Sequence, residues 1–431
     1  MVFAQRTVTY TPDSVIYAQT MLEDRHVSPE VATDMDRTFF ATQFAGYPSL
    51  LALIGPNPPQ FYKDQAPLFV SRPLYPYLAS LLFDRLNYRA LPAVSSSAYV
   101  GLAIVLFLLL CAFGPAWLAA VITIGVLLAP ISYPAIYDLG TYALTDLLAL
   151  LLSSIALLAQ IRYTTTGAAR WLIAFIIATI ALSVTRPAIY LVDGAALAVV
   201  AFGWLHRDRT VLRRGLTLTG IALVISAGYF SYVSAIHAPG LNAQMHYYYE
   251  RHLESGTHKD APVIAWYVAQ VVRSIVYELG SVFMRPLTLA TVAVGLTGLF
   301  LARRIPEVAC LIGATLSLGF AVLGHPVPGD QSRTIEVPMI PILAVGIVCT
   351  YLYMIFYGSG IRFGSEHICL MAFPLTRRRL PPSKQRLAGK TGVLKLDKVT
   401  PLCFLQELLQ CRSLPVSTAI KIRIRLFSST P

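Results

Sequence analysis

Long apolar runs with almost no ionisable side chain in their middles constrain this chain more than any other feature. Of its 431 residues, 13% are charged and 56% are hydrophobic. A soluble domain carries about 25% charged residues, so most of this surface is not built for water. Inside a bilayer every backbone N–H and C=O must be bonded within the protein, which leaves helices and closed barrels. Barrel strands alternate apolar and polar residues over about 10 positions, whereas these runs are continuously apolar. The expected fold is all-α, a polytopic α-helical membrane protein.

Runs near the roughly 20 residues that a bilayer core requires lie at 92–112, 116–134, 142–160, 171–190, 191–205, 215–236, 285–302, 306–324 and 336–357. They predict about 8–9 spans. The run 266–284 holds Arg273 and Glu278 and reads as an interfacial or partly embedded helix. Three regions follow: a first loop over 1–90, a transmembrane helical domain over 91–357 and a basic tail over 358–431. In the first loop, residues 12–25 read as a short amphipathic helix that Asp13 or Ser14 can cap. A second short helix is expected at Pro73–Phe83.

Basic residues in short loops set orientation. Arg162 and Arg170 flank one loop, Arg207, Arg209, Arg213 and Arg214 lie in another, and Arg303 and Arg304 in a third. All fall on the side of the basic tail if 266–284 does not cross, and that side is then cytoplasmic. Residues 1–90, 135–141, 237–284 and 325–335 lie outside. This predicts an integral, multi-pass membrane protein. It also predicts a span upstream of residue 1 to deliver the first loop. The tail, with Arg377, Arg378 and Arg379 but only Asp397 and Glu407 as acids, reads as disordered or as a non-native extension. A basic tail suits an anionic leaflet. No aromatic interleaving or known module points to nucleic acid. Six cysteines without CxxC spacing predict neither a disulfide framework nor a zinc site.

Against this background, Asp13, Arg72, Asp138, Asp146, Arg186, Asp193, Arg285 and Arg333 gather at the outer ends of the runs. Charge at a membrane edge is costly and marks a functional-site candidate. In order, the outer side carries PDSVIYAQTM from Pro12 with Tyr17, ATDMDR with Asp34 and Asp36, and SRPLYPYLASLL over 71–82. YDLGTYALTDLLALLL follows over 137–152, SVTRPAIYLV over 183–192 and DQSRTIEVPMIPILAV over 330–345.

Taken together, these segments resemble the GT-C superfamily of membrane glycosyltransferases over residues 10–357. The aminoarabinose and protein-mannosyl transferase branch, with its bacterial relatives, is the nearest look-alike. The resemblance implies a GT-C-like fold whose first outer loop carries an amphipathic helix along the membrane. It implies transfer of a sugar from a polyprenyl-phosphate donor to a glycan, lipid or protein acceptor at the extracytoplasmic face. The absent first span is a departure from the pattern.

Such chemistry needs a base, because an acceptor hydroxyl is a poor nucleophile; Asp13 is the candidate. It needs fixed cations for the departing lipid phosphate, for which Arg suits by its bidentate fork. Arg72, Arg186, Arg285 and Arg333 are the candidates, with snorkelling to headgroups as the plainer reading of each. Asp146 needs a partner, for which Arg186 near the same outer end is placed, with Asp193 as the alternative partner of Arg186. Tyr17, Asp34, Asp36 and Asp146 are candidate substrate contacts, although Asp34 and Asp36 taken singly read as solvated loop residues. HYYYERHLESGTHKD over 246–260 adds Tyr248, Arg251 and His252, which could stack on or bond a sugar; an interfacial aromatic belt explains the same tyrosines. A lipid-phosphate donor leaves room for a divalent cation, but no ligand cage is legible. Two other functions remain open: a secondary transporter or flippase, and a non-catalytic or truncated polysaccharide-assembly membrane protein.

Overall fold

A computed structural model describes residues 10–45, 47–55, 66–131, 136–186, 188–239, 245–246, 249, 262–320 and 337–358. The basic tail, Arg333, Tyr248, Arg251 and His252 lie outside the described residues.

The first loop folds as a cap of short helices. Helix α1 (Pro12–Glu23) starts with Pro at its first position, where the missing N–H costs nothing. Its N-cap is Thr11, not Asp13: the Thr11 N–H donates to Ser14 Oγ at 2.9 Å. Helix α2 (Pro29–Gln43) follows. Asp34 and Asp36 therefore lie on a helix, contrary to the loop reading. Ala32, Asp36 and Phe40, one turn apart, form its buried face. The acid at the centre of that face hides the pattern in the sequence. Helix α3 (Leu74–Ser80) is shorter than expected and ends before Leu81. Tyr10, Tyr17, Phe40, Tyr75 and Tyr88 fill the space between these helices, with edge-to-face rings such as Tyr17–Tyr75 at 5.2 Å.

The remaining labelled helices form a bundle. They are α4 (Ala90–Leu110), α5 (Ala116–Leu128), α6 (Asp146–Thr166), α7 (Ala169–Ser183), α8 (Ile189–Leu205), α9 (Arg209–Ala235), α10 (Val263–Met284), α11 (Pro286–Leu301), α12 (Pro306–Ser317) and α13 (Val337–Gly358). Among the described residues, four helices are long and apolar enough to cross a membrane, or five if the bent pair α10–α11 counts as one. Helices α5, α7, α8 and α12 are apolar but have only 13, 15, 17 and 12 residues. At about 1.5 Å per residue each falls short of a hydrocarbon core of roughly 30 Å. Among the described residues fewer helices than the nine runs reach that length: Pro130 forces Ala129 out of the helix at the end of α5, and α7 stops at Val184.

Apolar stripes remain exposed on the outside of the bundle. Val100, Ile104 and Leu108 on α4 and Ile173, Ile177 and Ile180 on α7 are examples. A water-soluble monomer rarely shows such contiguous patches. Glycines bring helices together: a Cβ on Gly203 would collide with the Leu212 backbone, and one on Gly215 with that of Val200, so α8 and α9 touch closely. Helix α10 meets α11 at 102°. Its buried face carries Trp266, Gln270, Ser274 and Glu278, while Val268, Val272, Val276 and Leu279 are exposed.

The bundle has two chemically different ends. Arg214 donates to the Thr164 and Thr165 carbonyls at 2.7 and 2.9 Å, and Arg162 interacts with Glu307. These contacts gather the loops bearing Arg162, Arg170, Arg207–Arg214 and Arg303–Arg304 at one end. At the other end Ser95 Oγ donates to Leu144 O at 3.0 Å and Tyr99 Oη to Leu127 O at 3.1 Å. Thr288 Oγ1 donates to Ile131 O at 2.5 Å, which places the start of α11 there too.

Candidate functional site

The site is assembled at the end opposite the basic loops. Ser14 Oγ donates to the Ala143 carbonyl at 3.0 Å, which seats α1 against the start of α6. With Thr11 and Ser14 closing the helix end, Asp13 is not needed as a cap. It stands in the first turn of α1, where the helix dipole favours a carboxylate. Tyr17, one turn on, is only 2% exposed, and its hydroxyl is 3.2 Å from that of Thr145.

Arg72 enters from the segment before α3. That segment is tied to the end of α7 by Leu74 N–H to Val184 O at 3.2 Å. The guanidinium lies over the Phe69 ring, 4.7 Å from its centroid. It interacts with Tyr17, Asp13 and Tyr229, and Tyr229 is hydrogen-bonded to Ser71. Burial by itself would lower the Arg72 pKa; Tyr17 and Asp13 outweigh it and hold the value above the usual one. The group is a fixed cation whose Nε is buried without a hydrogen-bond partner.

Asp146 opens α6, and Arg186 follows α7. The two form a salt bridge, with side chains 1% and 20% exposed. This is the partner expected for Asp146. A cavity of about 30 Å³ adjoins the pair, lined among others by Ser153, Tyr190, Leu318 and Pro338. It is large enough for one or two waters rather than a sugar ring. Asp193, the alternative partner, instead accepts a hydrogen bond from Ser226 Oγ at 2.9 Å.

The fold therefore brings Asp13, Tyr17, Arg72, Asp146 and Arg186 to one junction of the cap with the bundle. Other expected residues are not part of it. Asp34 lies 3.9 Å from Arg37 with 80% of its side chain exposed. Asp36 is 3% exposed, within a cluster of Tyr10, Phe39, Phe40 and Tyr88. Its carboxyl is pushed up to about 7, first by burial and further by Glu23, while the Tyr88 hydroxyl opposes the shift. Asp36 is thus enclosed within the cap, apart from the junction. Arg285 is at the correct end but bonds to its own helix at Ser281.

Sequence reading missed Ser71 and Tyr229, and singled out Thr145 only as the neighbour of Asp146. Tyr229 sits in an apolar run whose pattern gives no reason to single it out. Among the described residues no group of three or more His, Cys, Asp or Glu is placed to hold a metal ion. No family model, curated protein or solved structure matches the chain.

Proposed function

We propose that this chain is a membrane glycosyltransferase that takes a sugar from a polyprenyl-phosphate donor. The observation that carries the reading is the junction of Asp13, Tyr17 and Arg72, a carboxylate and a buried cation at the membrane end away from the basic loops. Positive loops face the cytoplasm, so the junction opens on the extracytoplasmic side, in a bacterial inner membrane. Asp13 accepts the proton of an acceptor hydroxyl on a glycan, lipid or protein. The acceptor oxygen then bonds to the anomeric carbon. The bond from that carbon to the phosphate oxygen breaks, and the lipid phosphate leaves with the electron pair. Arg72 stabilises the charge gained by the phosphate, as a preorganised donor in a dry site can. Arg186, held by Asp146, contributes beside it.

The test uses membranes containing the full chain and a radiolabelled polyprenyl-phosphate sugar. The expected result is label transferred from the carrier, with Asp13→Asn slowing transfer roughly 100-fold or more. Transfer by Asp13→Asn at the native rate sinks the base assignment. A chain that moves the lipid across the bilayer but leaves the sugar on its carrier is a flippase instead.

A further inference from the structure

Tyr17 reads in the sequence as a substrate contact, but the fold closes off its ring. The residue is 2% exposed, and Phe69 and Tyr75 stand edge-on to it at centroid distances of 5.2 Å. No face of that ring is open to a sugar. Its hydroxyl is not required to seat α1 either, because Ser14 already ties this helix to the Ala143 carbonyl.

The bonding at that hydroxyl has a fixed direction. A guanidinium only donates, whereas a phenol donates one proton and accepts on its lone pairs. Tyr17 is hydrogen-bonded to Arg72, so it accepts there. Its single proton is left for Thr145 Oγ1, 3.2 Å away. Thr145 is itself 2% exposed. It is the N-cap residue of α6, yet its side chain makes no capping bond, which leaves it to hold Tyr17. Phe69 packs against both partners, since its ring also lies 4.7 Å from the Arg72 guanidinium carbon. The chain Arg72–Tyr17–Thr145 thus ties a cation of the cap to the start of α6, beside the Asp146 that holds Arg186. A long Arg side chain that is oriented before its ligand arrives has less freedom to lose on binding.

We infer that Tyr17 is a positioning residue, whose hydroxyl, braced by Thr145, holds the Arg72 guanidinium in the orientation that receives a lipid phosphate. The inference rests on the proposed function and takes Tyr17 out of substrate contact.

The full chain in lipid nanodiscs is titrated with farnesyl phosphate in a double-mutant cycle. Tyr17→Phe keeps the ring packing and removes the hydroxyl, and should weaken binding roughly 10-fold. In the Arg72→Lys background there is no fork to orient, so Tyr17→Phe should then weaken binding less than about 2-fold. Thr145→Val should weaken binding in the same direction as Tyr17→Phe, and Thr145→Ser, which keeps the hydroxyl, should bind like the native chain. If Tyr17→Phe does not fold, Thr145→Val is carried through the same cycle with Arg72→Lys. The inference is overturned if Tyr17→Phe keeps native affinity, if the loss is the same factor in both backgrounds, or if Thr145→Ser binds as weakly as Thr145→Val. Any of those results, with Arg72→Lys still weakening the native chain, leaves the proposed function standing. No binding of farnesyl phosphate by the native chain overturns both.

Discussion

The two ends of the bundle use charge differently. At the basic end, Asp208 accepts from the N–H groups of Thr210 and Val211 at 2.9 and 3.1 Å, capping its own helix α9. Arg214 covers the last carbonyls of α6, beside Gly167 in the left-handed region at φ +68. These are the usual ways of closing helix ends. At the opposite end no single helix accounts for the charges. Arg72 is held by α1 and α9, and Arg186 crosses from α7 to α6. Buried polar atoms without a hydrogen-bond partner occur there, Arg72 Nε and Asp193 Oδ1 among them, as Thr164 Oγ1 does at the basic end. A charge that closes a helix end is architecture; Arg72, which closes none and has a buried nitrogen without a hydrogen-bond partner, is a candidate for chemistry.

That contrast can be broken experimentally. The largest effect is expected for Asp146→Ala, which removes the carboxylate that pairs with Arg186. It should cost about 3–5 kcal/mol, read as thermal unfolding in detergent, and Asp146→Ala with Arg186→Ala should recover part of the loss. Asp208→Ala at the basic end should cost only about 1 kcal/mol. Equal losses at both ends would remove the distinction.

Asp36 tests whether the cap and the site are separable. Its folded pKa of about 7 lies above the ordinary 3.8, so the folded state binds the extra proton between those values. Stability should be full below about pH 4, fall by up to about 4 kcal/mol as pH rises to 7, and level off above it. Asp36→Asn should flatten that dependence without touching prenyl-phosphate binding. A pH slope that survives in Asp36→Asn assigns the titration to another group.

Smaller effects sharpen the contrast. Arg72→Lys keeps the charge but loses the planar fork, so farnesyl phosphate should bind roughly 10-fold more weakly, measured by titration. Arg214→Ala at the basic end should lower stability by about 1 kcal/mol and leave that binding unchanged. If the two substitutions exchange these effects, the ends have been assigned the wrong way round.

Much of this was legible in the chain itself. Helical character and the sharing of one end by Asp13, Arg72, Asp146 and Arg186 follow from continuous apolar runs and the placement of Arg. The Asp146–Arg186 pair was legible too, because two opposite charges near the ends of neighbouring spans have few other places to go. Helix α2 was not, since its buried face has an aspartate at its centre. The short spans were only partly legible: Pro130 pushes Ala129 into an extended conformation and ends α5, whereas Val184, where α7 ends, is as apolar as its neighbours.

The sequence by itself determined that this chain buries its helices in an apolar medium and sorts its charges to two ends, because hydropathy and charge are properties of each residue. Only the tertiary structure decided which charges meet. It took Asp36 out of the site, joined Tyr229 and Ser71 to Arg72, and left one oxygen of Asp193 unbonded. Those outcomes depend on side-chain distances of about 3 Å between distant segments, which no local pattern encodes.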